Sequence, residues 1–413
     1  MSVFGSRWVQ APGHVRELGG DAGLPQGFRA AGVAAGLKPS GDPDVGLLVC
    51  DAEQPASAAV FTSSSTAAAP VLVTRERCRL RSLRAVLANS GCANAATGSR
   101  GLDDAAKTQG AAAAAAGVPE SEVALASTGA ISHYLPVDSV LKGILQARSQ
   151  LRREGDVEFQ RAIQTTDRFE KRANLEVELS GGSVRLCAQC KGAGMISPRF
   201  ATMLCFLQTD ARLAPETAEL LLGTCVARSF DRVSVDGQLS TNDTAILMAS
   251  GSAGVEVAPG SEDELRLGEA LDALLRGLAV MLVADGEGSR RIGRVLVRGG
   301  DLGRVEAVAR AVANSPLVKA ALHGGDPNWG RIVQSAGGAL PGPEPLAIDV
   351  WIEGRQVCSA GAALPYEEAE LAQTVSGEEV EYEIALSGEG AQTEVFFSDL
   401  SADYVALNAH YTT

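Results

Sequence analysis

The chain has 413 residues, 46% apolar and 21% charged, with 46 glycines and few aromatics, a balance that points to one large or two closely packed globular domains rather than a disordered or fibrous chain. A formal net charge of -14 repels phosphate backbones and anionic membrane surfaces, which makes nucleic acid and lipid headgroups poor partners and a small molecule a better one. Residues 1–20 lack the uninterrupted apolar core of a signal peptide, and no run approaches the roughly 20 apolar residues of a membrane span, so a cytoplasmic protein is expected.

In the N-terminal half, strands alternate with helices. RAVLANSG at 84–91 reads as a buried strand, 102–118 as a helix favoured by its alanine run, EVALAST at 122–128 as a strand, and 136–151 as a helix. Residues 175–190 read as two strands around a Gly-Gly turn that deliver the Gly-rich loop KGAGMISP. Cys187 and Cys190 form a lone CxxC; with no second CxxC and four histidines in the chain, two small apolar side chains on a strand outweigh a metal or redox role. The chain then gives a strand at 203–209, helices near 214–230 and 262–284, a strand at 294–299, and strands at 349–361, 379–387 and 393–399, with a helix expected over 366–374. The last ten residues read as a short helix burying Tyr404, Val405 and Leu407. A layered α/β/α sandwich fits this order.

The segment Lys191 to Leu204 is the most informative chemically, because glycines and a proline distort the backbone just before Ala201-Thr202. A strained Ala-Thr bond lets the threonine hydroxyl attack the preceding carbonyl, giving an ester whose hydrolysis leaves Thr202 as a new amino terminus. An α-amine, with an unperturbed pKa of about 7.7 to 8.0, can then take the proton from its own hydroxyl without a histidine. Taken alone, the residues also allow an ordinary turn before a strand. The same holds for Ser127-Thr128-Gly129, a common loop opening, and for Lys191, Glu287 and Asn408, which read as solvated or helix-end groups.

The segment KGAGMISPRFATML resembles the cleavage and nucleophile segment of the ornithine acetyltransferases, also called glutamate N-acetyltransferases. Further matches lie in order along nearly the whole chain: AAVFTSSSTAAAPV at 59–72, ANSGCANAATG at 88–98, STGAI at 127–131, STNDTA at 240–245, NSPLVKAALHGGDPNWGRI at 314–332 and YVALNAHYTT at 404–413. The resemblance implies two β-layers between helical layers, an α-β-β-α sandwich cut into an α chain, 1–201, and a β chain, 202–413, that stay associated as a heterotetramer of two α and two β. It implies Thr202 as nucleophile, Thr128 and Gly129 as an oxyanion hole, and substrate contacts from Thr165, Lys191, Thr202, Glu287, Asn408 and Thr413. The implied reaction moves acetyl from N-acetylornithine to glutamate through an acetyl-threonine intermediate, in arginine biosynthesis. No metal or organic cofactor is called for, and use of acetyl-CoA as a further donor stays open. Rival readings are an aminopeptidase or amidohydrolase with the same nucleophile, and a non-catalytic amino-acid-binding paralogue.

The chain departs from the family pattern at Ser132, usually Gly, at Cys92, usually Asn, in DGQLSTND for the usual DGDTSTND, and in EGSRR for the usual EGATK. These positions flank the expected substrate site and leave the amine substrate open. The Pro-Asn turn and tryptophan of DPNWGRI read as structural, and His323, without a matching serine and acid pattern, does not read as part of a hydrolase triad.

Overall fold

The computed structural model describes residues 2–197 and 203–410. The first sheet has the order Phe28–Val33, Val45–Cys50, Ala85–Asn89, Val123–Ser127; its first two pairings are antiparallel, and its last is parallel, with the helix Gly98–Ala116 as the crossover. The second has the order Val15–Glu17, Lys171–Leu179, Gly182–Lys191, Leu204–Thr209, Thr244–Ala249, Ala56–Phe61.

The inner strands, such as Val45–Cys50, Ala85–Asn89, Leu204–Thr209 and Thr244–Ala249, are largely apolar runs because both their faces are covered. Alternation with period two then divides each strand between two cores. In the first sheet Val45, Leu47 and Val49 face a layer formed by the helices Ala69–Arg77, Gly98–Ala116 and Val137–Gln150, while Leu48 and Cys50 face the second sheet. In the second sheet Leu204, Phe206, Ile246 and Met248 answer them, and Phe206 meets Phe159 edge-on with ring centres 5.4 Å apart. Cys205, Leu207, Ala245 and Leu247 point the other way, into the helices Pro215–Arg228 and Glu262–Ala284. The result is an α-β-β-α sandwich with two β-layers, not the single sheet that the alternation of elements alone implied. Cys187 and Cys190, an odd number of positions apart on one strand, fall in different cores and are buried apolar groups.

A seven-stranded sheet extends the sandwich, in the order Val233–Ser234, Gln392–Ser398, Ile292–Arg298, Glu379–Leu386, Ile348–Ile352, Arg355–Ser359, Ala362–Ala363. Ile292 and Phe396 pack on the back of Glu262–Ala284, and the helices Leu302–Asn314, Pro316–Gly324 and Trp329–Ala339 cover the opposite face. Sequence patterning missed these three helices, as it missed Asp156–Ile163 and the strands before residue 62. Trp329 packs at the edge of this core and its indole N–H donates to Tyr366 Oη at 3.2 Å, a structural role for DPNWGRI. The helix expected over 366–374 begins at Glu368.

The last helix, Ala402–His410, corrects one expectation. Val405 is 61% and Leu407 39% exposed, and no residue of the helix is buried. Polar contacts hold it: Asp403 pairs with Arg290 at 3.1 Å, Ser401 donates to Gly288 O at 2.8 Å, and the Tyr404 hydroxyl reaches Asp236 at 3.4 Å.

Candidate active site

Where the first two sheets meet the C-terminal helix lies a cavity of about 210 Å³. Thr128, Gly129, Thr165, Lys191, Glu287 and Asn408 all line it, although 280 positions separate the first from the last. Ala201, Thr202 and Thr413 lie outside the described residues; Met203, next after Thr202, leads directly into the strand Leu204–Thr209.

Thr128 and Gly129 leave the end of the strand Val123–Ser127. The Thr128 N–H is spent on Asn89 O at 2.9 Å, while Ser127 donates to the Asn89 amide oxygen at 2.6 Å, so the loop is pinned to the neighbouring strand. Gly129 has φ +122°, and a Cβ there would lie 2.5 Å from the Gly91 carbonyl carbon and 2.7 Å from Cys92 N, so only glycine fits. Among the described residues the Gly129 N–H has no hydrogen-bond partner. Ser132 takes φ +63°, which accounts for the family's usual glycine at this position.

Lys191 ends the strand Gly182–Lys191 and is 3% exposed, not the solvated charge its sequence context implied. Its ammonium donates to Thr128 Oγ1 at 2.9 Å. Burial pushes its pKa below the usual lysine range, and the charge of Asp167 opposes that fall. Behind it lies a buried network that sequence reasoning missed. Lys171 sits between Asp167 at 2.6 Å and Asp285 at 2.5 Å, all three with side chains 0% exposed, and Arg168 donates to Asp285 at 3.0 Å. Burial works against the charge on Asp167, but Lys171 and Lys191 outweigh it and hold the carboxyl below the usual range. Asp167 in turn accepts from the N–H groups of Gly192 at 2.8 Å and Thr165 at 3.0 Å, fixing two walls of the cavity.

The far end is acidic. Glu287, 8% exposed, follows the helix Glu262–Ala284; its carboxylate accepts from Thr166 Oγ1 and from Asn408 Nδ2, each at 2.8 Å, and its N–H donates to Ala193 O at 2.8 Å. A Cβ on Gly194 would meet that carboxylate at 2.7 Å, so the Gly-rich loop lies directly against it. Asp236 adds a second carboxyl, raised by burial and by Glu287 against the pull of three backbone N–H groups. Thr166, Asp236 and Tyr404 are cavity residues that sequence reasoning did not single out. Of the departures, Gln238 lines the cavity, whereas Arg290 and Arg291 turn away to Asp403 and Val375 O. No cluster among the described residues could hold a metal ion, and no helix among them is long and apolar enough to cross a membrane.

The cavity therefore has hydrogen-bond donors and a cation at one end and carboxylates at the other, a pattern suited to a small zwitterion. The ArgJ family model matches residues 29–413. The arginine biosynthesis bifunctional protein ArgJ of Rhodopirellula baltica is 42% identical over 399 residues, covering 94% of this chain and 96% of its own. That of Nitratidesulfovibrio vulgaris is 42% identical over 391 residues, covering 94% and 98%. A solved ornithine acetyltransferase from Mycobacterium tuberculosis, complexed with ornithine, is 37% identical and covers 46% of this chain and 99% of that one, with a TM-score of 0.42.

Proposed function

The chain belongs to the ArgJ family, and from that premise and the cavity's polarity we propose that it carries acetyl from N-acetylornithine to glutamate, with Thr202 as the acceptor in between. It is an acetyltransferase of arginine biosynthesis acting on small molecules. The observation that carries the finer reading is the single cavity with Thr128, Gly129 and Lys191 at one end and Glu287 with Asn408 at the other.

In the proposed cycle the Thr202 hydroxyl first attacks the Ala201 carbonyl carbon. The Ala201–Thr202 C–N bond breaks, the nitrogen gains a proton, and water hydrolyses the ester, freeing the Ala201 carboxylate and the Thr202 amine and hydroxyl. The α chain is then 1–201 and the β chain 202–413, paired as a heterotetramer. In turnover the Thr202 amine takes the hydroxyl proton while its oxygen attacks the acetyl carbonyl. The Thr128 hydroxyl and Gly129 N–H stabilise the negative charge that develops on the acetyl oxygen. Lys191, donating to Thr128, leaves the Thr128 O–H free to donate onward and strengthens it as a donor. Glu287 attracts the substrate's free ammonium. Ornithine leaves with a proton, glutamate's amine attacks the acetyl-threonine, and N-acetylglutamate departs. The cycle needs no resident cofactor, and acetyl-CoA fits the same intermediate as an alternative donor.

The test is acetyl transfer from N-acetylornithine to glutamate, run beside denaturing electrophoresis and mass spectrometry. Two chains are expected, the second beginning at Thr202, with Thr202→Ala uncut and inactive. An intact single chain that turns over normally would overturn the mechanism; release of free acetate with no acetylglutamate would favour an amidohydrolase.

A further inference from the structure

The segment DGQLSTND begins and ends in aspartates seven positions apart, and each makes backbone contacts with the chain that carries Ala201–Thr202. Upstream of that bond, Asp236 accepts from Met195 N at 2.7 Å with one carboxylate oxygen and from Ile196 N at 2.9 Å with the other. Met195 is at φ +57°, a left-handed conformation costly for a side chain with a Cβ, so the loop keeps it only while something holds it there. Ile196 O returns the contact, accepting from the N–H groups of Val235, Asp236 and Gly237 at 3.0, 3.3 and 3.2 Å. Downstream, Asp243 Oδ1 accepts from Met203 N at 3.0 Å, and Thr244 N donates to Met203 O at 3.0 Å.

We propose that residues 236–243 are a splint for self-cleavage whose two aspartates fix the backbone that flanks the Ala201–Thr202 bond, Asp236 at Met195 and Ile196 upstream and Asp243 at Met203, the residue behind the nucleophile. Both are positioning residues. The inference rests on the proposed self-cleavage and goes beyond it, since it assigns which residues anchor the chain before and after the bond. Both clamps act before the cut, and they differ after it. Once the chain is cut, the Asp236 contacts run between the α and β chains, whereas the Asp243 contact stays within the β chain at its second residue.

The two clamps also differ chemically. Asp236 accepts with both oxygens, so an asparagine must turn its NH₂ toward a backbone N–H and lose one contact. Asp243 is 1% exposed and uses one oxygen for Met203; burial drives its carboxyl well above the usual range, with the Met203 N–H and Lys191 pulling the other way. Asparagine, the neutral shape-mimic, preserves that single acceptor, whereas leucine removes it.

Cutting is followed by denaturing electrophoresis from the moment of refolding, and kcat and KM are measured on the cut fraction, for Asp236→Asn, Asp243→Asn and Asp243→Leu. Asp236→Asn is expected to slow cutting about tenfold or more, the effect of leaving one buried backbone donor unpaired. Asp243→Leu is expected to slow cutting similarly and to lower kcat in whatever is cut while moving KM little, and Asp243→Asn to restore both to within about threefold. If the leucine variant fails to fold, the contrast between the two isosteric asparagine variants decides. Equal cutting by both, at the unsubstituted rate, overturns the splint; an unsubstituted chain that never cuts overturns the underlying reading instead.

Discussion

Thr128 offers its hydroxyl in two directions, accepting from the Lys191 ammonium and keeping its own proton for the cavity. Replacing it with alanine removes one donor to the developing charge, and Thr128→Ala is expected to lower the acetyl-transfer rate by about a hundred- to a thousandfold. Its backbone bond to Asn89 is untouched, so the fold should survive, with a modest fall in melting temperature because the buried Lys191 ammonium loses a partner; near-normal turnover in steady-state assays would mark Thr128 as a turn residue. Such residues were legible because Gly129 and the threonine sit at the end of an apolar run, where a motif can be matched. The Lys171–Asp167–Asp285 network was not, since the Lys171–Asp285 pair joins positions 114 apart and each member reads locally as a surface charge. Only the burial brought by tertiary packing turns those three into a fixed scaffold for Lys191.

The terminal helix Ala402–His410 teaches a related lesson about elements. Its existence was visible in the local pattern, but its seating was not: apolar spacing pointed to Val405 and Leu407, while the contacts that hold it are Asn408 on Glu287, Tyr404 on Asp236 and Asp403 on Arg290. A helix docked through polar groups at a ligand cavity serves recognition more than stability. Asn408→Ala is therefore expected to raise KM for N-acetylornithine by about three- to tenfold, the scale of one lost hydrogen bond, with a smaller change in kcat and no loss of self-cleavage. Removing residues 411–413 is expected to act in the same direction, and unchanged kinetics in both variants would dismiss the tail from the site. Of the strands buried on both faces, Ala85–Asn89 and Leu204–Thr209 were recognisable as apolar runs and Val45–Cys50 and Thr244–Ala249 were not, and which face met which core followed only from the second sheet lying against the first.

For the molecule as a whole, the tie between the C-terminal sheet and its covering helices includes one buried lysine. Lys319, on Pro316–Gly324, donates to Ser398 O at 2.5 Å, and burial lowers its pKa to about 7 despite the charges of Asp236 and Asp399. A lysine depressed on folding is bound to a proton less often in the native than in the unfolded chain between about pH 7 and its ordinary value near 10.5. Its penalty is thus full below pH 7 and relieved as pH rises. Measured against Lys319→Met, the unsubstituted chain should gain up to about 1.4 kcal/mol per pH unit through pH 7 to 9, and a pH-independent difference in denaturant midpoints would refute the shift. The strand order of the second sheet carries a last consequence. Leu204–Thr209 and Thr244–Ala249 follow the proposed cut, yet they pair with Gly182–Lys191 on one side and Ala56–Phe61 on the other, both of which precede it, through six residue pairs at each seam. Once cut, the two polypeptides would stay interleaved like fingers of clasped hands: they are expected to melt together, since parting them by dilution means tearing a sheet open along both edges.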